Sequence, residues 1–415
     1  MDSTLSLAGW RRTAAQVTLL GAITLDTLLY GLVIPFLPGR ALALGAAPVE
    51  VGALFATYSA GLLLATPPAG WLTDRFGARG VLLFGLLLLV AATLLFAFAG
   101  DLPTLLALPG VAGLWLLFGA RAAQGMAAAI TWTAGLALLA QLYPAQKRSA
   151  IFARVGLASG VGLLLGPPLG GALYTLGGFR APFLFAAALA LLDGVGRIIF
   201  LPGNAGMTRL APEPGTTRSL LASAPFLIGL AAVVVSDLIL TALDPTMPPL
   251  FTRQYGLTPL WIGLIFGGVV VIYSSAQSLA AVLTQRARPA VVIVVGLLLV
   301  TLGAFLLGNS DTLPATFVAL GALGVAIAFV LIPALELLTT AGEAGRDPQR
   351  IPYGAIYALY NLAFSIGGLL GPLLATSSIS LLGQRDGWLI LGAPALLAAI
   401  WLTWTLLRRT QHTKS

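Results

Sequence analysis

Gly70-Trp71-Leu72-Thr73-Asp74-Arg75-Phe76-Gly77-Ala78-Arg79 is the stretch on which the reading of the fold turns. It is short, polar and rich in glycine, and it separates two apolar runs, 48–72 before it and Gly80–Gly100 after it. A helix needs roughly 20 apolar residues to cross the hydrocarbon core of a bilayer. The stretch therefore reads as a tight turn between two membrane helices. Its glycines permit close backbone approach, and its acid and arginines form a set that can latch neighbouring helix ends. The plainer alternative is a solvated turn on the positively charged side of a membrane.

The rest of the chain supports a membrane protein. Of 415 residues, 58% are hydrophobic and only 9% are charged, whereas a soluble domain carries roughly 25% charged residues. Segments such as Phe179–Phe200 and Val291–Gly308 repeat the pattern of long, almost uncharged runs. Helices are expected, because every backbone N–H and C=O in lipid must be satisfied internally. The short alternating segments of a membrane barrel are not seen. The formal charge of +8 comes from arginines spread along the chain, which does not suggest nucleic-acid binding. There is no cysteine, and the one histidine, His412, lies in the C-terminal tail. No metal site or other cofactor is expected. No phosphate-binding loop and no nucleophile constellation occurs, which argues against ATP drive and against an enzyme. The first apolar run has no small-residue cleavage pattern and reads as a retained span.

Spans are expected at 14–38, 48–72, 80–100, 112–142, 150–176, 181–201, 221–251, 259–283, 289–308, 313–340, 353–377 and 387–407. This is an all-α membrane protein of twelve helices in two pseudo-symmetric six-helix halves, 1–201 and 221–415, joined by a cytoplasmic linker, 202–220. An even number of spans puts both termini on one side. Of the 22 Lys and Arg, sixteen fall on that side, from Arg11 and Arg12 to Arg408, Arg409 and Lys414. Four (Arg40, Arg180, Arg253 and Arg385) fall on the other, and Arg121 and Arg197 lie within spans. The positive-inside rule makes both termini cytoplasmic, and the expected location is the cell membrane. The chain also repeats. Gly162-x-x-x-Gly166-Pro167 in span 5 recurs as Gly367-x-x-x-Gly371-Pro372 in span 11. The first span of each half carries an acid and two prolines: Asp26 with Pro35 and Pro38, then Asp244 with Pro245 and Pro248. Leu72-Thr73-Asp74-Arg75 has a worn copy in Leu283-Thr284-Gln285-Arg286. Two such halves around a midplane site are a common transporter plan.

Gly70–Arg79 closely resembles the loop signature of the major facilitator superfamily. Gly162-Leu163-Leu164-Leu165-Gly166-Pro167-Pro168-Leu169-Gly170-Gly171 resembles the span-5 signature of its antiporters, in which small residues allow close helix approach and proline bends the span. Arg121-Ala122-Ala123-Gln124-Gly125 is similar to a signature of the proton-coupled members. The resemblance narrows to the vesicular monoamine and acetylcholine transporters through four stretches. These are Leu25–Leu29 with Pro35–Pro38, Ala181–Leu184 with Leu191–Gly194, Leu243–Pro248, and Tyr353–Ala358. The long lumenal loop and acidic tail of the animal carriers have no counterpart, as in a compact prokaryotic relative. Asp101–Gly110 reads as extra sequence before span 4. What the resemblance implies is the major facilitator fold and exchange of an organic cation for protons. Gly70, Asp74, Arg75, Gly77, Arg79, Gly162, Gly166, Pro167 and Gly171 would then act in gating.

Ionisable residues at membrane depth are costly and mark functional sites by default. Asp26 sits mid-span. A carboxyl taken out of water can exchange a proton near neutral pH, and when ionised it can pair with an amine instead. That competition is the simplest exchange mechanism; the alternative is a structural carboxyl bonded to Ser or Thr. Asp237 and Asp244 share one face of span 7, two turns apart. Asp193 and Arg197, four residues apart, read as an intrahelical ion pair. Arg121 reads as the partner of a cavity acid or as part of a structural pair, and Glu336 as a proton-pathway residue or an interface anchor. By resemblance, Asp26 and Asp244 match acids of the substrate site. Tyr273, Phe55, Phe364 and Tyr357 fall at or beside cavity positions where rings can hold a cation. A lysine and an aspartate that pair in the monoamine carriers are Tyr58 and Asn361 here, where a neutral hydrogen bond can replace the charge pair. The family's span-10 aspartate is Leu331, which leaves Asp237 or Glu336 to take over its part. The expected function is proton-coupled export of a monoamine-like or drug-like cation by a monomer. A uniporter or symporter for a neutral solute is the alternative.

Overall fold

A computed structural model of the chain describes residues 9–105, 112–143, 145–203, 216–343 and 353–412. Its helices, in chain order, are α1 (Gly9–Leu32), α2 (Leu37–Ala43), α3 (Pro48–Phe76), α4 (Ala78–Phe98), α5 (Leu102–Leu105), α6 (Ala112–Leu142) and α7 (Ala145–Gly177). They continue with α8 (Arg180–Phe200), α9 (Thr216–Leu221), α10 (Ala224–Tyr255), α11 (Pro259–Arg286), α12 (Pro289–Gly308), α13 (Leu313–Glu343) and α14 (Tyr353–His412). Among the described residues, 11 helices are long and apolar enough to cross a membrane. One of these, the 47-residue stretch Ala358–Trp404 of α14, is broken at Gly383 (φ 82°, ψ 173°). Each side of that break is long enough for its own pass, which brings the described residues to the twelve spans expected.

The first span departs from expectation. It stops at Leu32 instead of running through Pro38, and α2 restarts after four turn residues. Pro35 has no N–H to donate and disfavours helical geometry in the residue before it. Pro38 is accommodated in the first turn of α2, where that N–H is not needed. The matching prolines of span 7, Pro245 and Pro248, lie inside the continuous helix α10. The segment before span 4 contains the short helix α5. Asp101, beside it, is bridged by Arg180 through two contacts of 2.6 and 3.0 Å at an exposed site.

Two compact units are distinguished: Met1–Leu210 with Met247–Gly267, and Ala211–Thr246 with Gly268–Ser415. In the first, α3 packs on α6, α1 on α7, and α4 on both α6 and α8. Lipid tails are as apolar as leucine, so helices associate in a membrane by close contact at small residues. A Cβ on Gly166 would stand 2.6 Å from the Leu28 carbonyl oxygen and 3.1 Å from the Leu32 nitrogen. A Cβ on Gly125 would strike the Tyr58 carbonyl, and one on Gly61 the Ala122 carbonyl. Thr24 and Thr27 Oγ1 donate across the α1–α7 seam to Ala158 O (3.0 Å) and Ser159 O (3.1 Å). These contacts fasten α1 to α7 and α3 to α6, and α1 also packs on α6; the helices α1, α3 and α6 carry Asp26, Tyr58 and Arg121.

The second unit is built alike. α12 packs on α13 and α14, and α10 lies on the glycine face of α14. A Cβ on Gly367 would stand 2.6 Å from Val234 O and 2.8 Å from Asp237 Cβ, and Gly371 faces the Leu238 carbonyl. These contacts set the internal register. Gly166 faces Leu28 as Gly371 faces Leu238, and Pro35 and Pro38 follow Leu28 at the spacing with which Pro245 and Pro248 follow Leu238. In this register Asp26 corresponds to Ser236 and Thr27 to Asp237. The acid at the level of Asp26 is therefore Asp237; Asp244 corresponds to Ile34.

Candidate cation and proton site

Asp26 is buried on α1 at 2% exposure. Its Oδ2 accepts a 2.9 Å hydrogen bond from Nε1 of Trp132 on α6. Its Oδ1 is buried without a hydrogen-bond partner among the described residues. The neighbouring threonines do not take up the carboxyl: Thr24 and Thr27 donate to backbone carbonyls. Trp132 is half-buried and packs against the hydrophobic core that includes Leu19 and Ile23, with its indole N–H turned toward Asp26.

Tyr58 on α3 lies within electrostatic range of both Asp26 and Arg121. Arg121 is fully buried, and its guanidinium carbon lies 5.0 Å from the Tyr30 ring, 5.0 Å from Phe55 and 4.8 Å from Tyr58. Its Nη1 donates to Gln124 Oε1 at 2.8 Å. Three rings around one guanidinium form a cation–π cage, each contact worth about 0.5–2 kcal/mol depending on desolvation. Asp26, Phe55, Tyr58 and Arg121, chosen from the sequence, thus fall into one cluster. Gln124, from the Arg121–Gly125 signature, belongs to it as well, as do Trp132 and Tyr30, which carry no signal that marks them in the sequence.

In the second unit Asp237 is fully buried, with both carboxylate oxygens lacking a hydrogen-bond partner among the described residues. Asp244, on the same helix, is buried at 7% exposure and interacts electrostatically with it. Tyr273 on α11 is in electrostatic range of Asp237 and hydrogen-bonds Gln277. Its Cβ lies 3.6 Å from where a side chain on Gly324 would start. Glu336 is half-buried, with its backbone carbonyl accepting from Thr339 and Thr340 at 2.9 Å. Asn361 is exposed, and Phe364, 37% exposed, stacks on Tyr360. The side chain of Tyr357 lies outside the described residues.

Asp193 and Arg197 form the expected ion pair at 2.6 Å, with Arg197 fully buried and also donating to Leu82 O at 2.8 Å. In the turn after α3, Gly77 has φ 80° and its N–H closes the helix on Thr73 O at 3.0 Å. Arg79 Nη2 donates at 2.5 Å to Ile198 O in the last turn of α8. Arg79 thus reaches another helix end. Asp74 and Arg75 are exposed, and Arg75 stacks over Trp71 and Phe76 at 5.3 and 5.7 Å. A Cβ on Gly70 would stand 4.0 Å from the Thr133 methyl, and one on Gly171 2.9 Å from Leu260 Cα.

Among the described residues, eleven long apolar helices, one of them broken at Gly383, with carboxylates buried inside them are the architecture of a membrane transporter. Residues 19–346 match the family model of the Major Facilitator Superfamily, and the chain belongs to that superfamily of transporters. It is 29% identical over 361 residues to the chromaffin granule amine transporter of Rattus norvegicus, covering 85% of this chain and 64% of that one. It is 30% identical over 365 residues to the vesicular acetylcholine transporter of Homo sapiens, with the same coverage of 85% and 64%. The matched part thus spans just under two thirds of these relatives' length. Among solved structures, a bacterial homolog of the human lysosomal transporter Spinster matches with a TM-score of 0.80 at 15% identity, over 95% of this chain and 97% of that one. That likeness concerns the fold.

Proposed function

We propose that the chain is a proton-coupled antiporter that exports an organic cation, a monoamine-like molecule or a cationic drug, by alternating access. The observation that carries this reading is Asp26: a carboxyl buried mid-span, with one oxygen held by Trp132 and the other unpartnered. A site of this kind takes either a proton or an ammonium group, and their competition couples the two fluxes. Asp237, Asp244 and Tyr273 form the second half of the machinery, with Asp237 in the part of the missing span-10 acid. Phe364 and Tyr357 supply apolar and ring contacts for the cation, Phe55 serves by holding Arg121 beside the site, and Asn361 and Glu336 line its proton route. The halves 1–201 and 221–415 rock about the linker 202–220. Gly70–Arg79 latches the first half at Arg79, and Gly162, Gly166, Pro167 and Gly171 let α7 slide on its neighbours. The sixteen-to-four split of Lys and Arg supports cytoplasmic termini in the cell membrane. The protein acts as a monomer.

The test is purified protein in proteoliposomes with an acidic interior and labelled phenethylamine outside. Protons leaving down their gradient drive amine entry, so uptake above protein-free liposomes is expected, and dissipating the gradient abolishes the excess. Uptake that ignores the gradient would make the protein a uniporter.

A further inference from the structure

We infer that Trp132 sets the substrate class, making Asp26 a receptor for an ammonium group that it engages through one N–H and selecting against guanidinium. The inference rests on the reading of Asp26 as the exchange carboxyl. A carboxylate has two oxygens and can accept a guanidinium in a two-pronged fork. Here one of the two oxygens already accepts a hydrogen bond. Trp132 Nε1 donates to Oδ2 at 2.9 Å, and its half-buried ring packs against the hydrophobic core that contains Leu19 and Ile23, which favours that orientation. Oδ1 is the oxygen left unpartnered among the described residues. A proton fills one oxygen, and so does one N–H of an alkylammonium. A guanidinium meets only half of its matching geometry and leaves a second N–H facing the indole. The surroundings add to the bias: Tyr30, Phe55 and Tyr58 are already engaged around Arg121. The guanidinium carried by the protein therefore occupies the ring cage in this unit.

The experiment is exchange of labelled phenethylamine in proteoliposomes without a gradient, inhibited by unlabelled phenethylamine or by its guanidine analogue. In the wild type the guanidine is expected to inhibit roughly tenfold less well, the worth of one charge-assisted hydrogen bond. Trp132→Phe keeps the ring and removes the N–H, opening Oδ2. The two inhibition constants are expected to converge, a shift of roughly tenfold in their ratio. Trp132→His, which returns a ring N–H, is expected to restore part of the preference. A wild type that does not prefer the amine overturns the inference even if no variant folds. So does a Trp132→Phe protein with an unchanged ratio. Failure of the underlying reading is distinct: exchange that persists in Asp26→Asn removes Asp26 from the site whatever the ratio.

Discussion

Replacing Gly166 by alanine tests the α1–α7 seam on which Asp26 is mounted. The added Cβ would stand 2.6 Å from the Leu28 carbonyl oxygen, where ordinary contact begins near 3.4 Å. The obstacle is backbone, not a flexible side chain, so the two helices must part by roughly 0.8 Å over a close-packed contact. Overpacking of this kind costs about 1–3 kcal/mol. The same helix supplies the control, because a Cβ on Gly160 meets nothing within 4 Å. Both substitutions bring the same gain in helix propensity, about 1 kcal/mol. The gap between the two variants is therefore the clash alone. For a chain this long, each kcal/mol moves the unfolding midpoint by roughly 1–2 °C. Thermal unfolding in detergent at one fixed scan rate should place Gly166→Ala a few degrees below Gly160→Ala, with Gly160→Ala at or above the wild type. Transport should fall only in Gly166→Ala, since α1 is displaced with its carboxyl. Equal midpoints for the two variants would refute the seam as drawn.

Two further predictions concern buried charges. Arg197→Met should cost about 3–5 kcal/mol by stranding Asp193, seen as a lost folded peak in size-exclusion chromatography, and adding Asp193→Leu should recover most of it; a single variant as stable as the double would contradict this. Asp237→Asn keeps the size and polarity of the side chain, so the protein should fold and exchange amine without a gradient while losing gradient-driven accumulation. Accumulation at the wild-type level would remove Asp237 from the proton pathway.

Much of the fold is legible in the sequence because a bilayer imposes one strong rule, apolar runs of about 20 residues. The glycines of Gly162–Gly171 and of Gly367–Gly371 are legible for a related reason: close helix approach tolerates little else. The exit of span 1 was harder to read. Pro35 breaks its helix whereas Pro245 is passed by α10, and the proline pattern alone does not distinguish the two. The acids were misleading in register. Asp26 and Asp244 both precede prolines, yet the glycine contacts put Asp237 at the level of Asp26. The Trp132–Asp26 bond joins residues 106 apart in sequence, and no local periodicity announces a pairing between two spans. Tyr30 in the Arg121 cage is hidden likewise, since a tyrosine on an apolar helix reads as packing until its neighbour is known.

The central claim is that one carboxyl carries proton and amine in turn. Its most direct test is Asp26→Asn beside the wild type in proteoliposomes, with phenethylamine uptake followed both under an acid-inside gradient and as exchange without one. The amide matches the carboxyl in size and can still accept from Trp132, but it holds neither a transferable proton nor a negative charge. The account predicts that both activities fall to the level of protein-free liposomes while the variant remains folded. An Asp26→Asn protein that still accumulates amine under the gradient would contradict it.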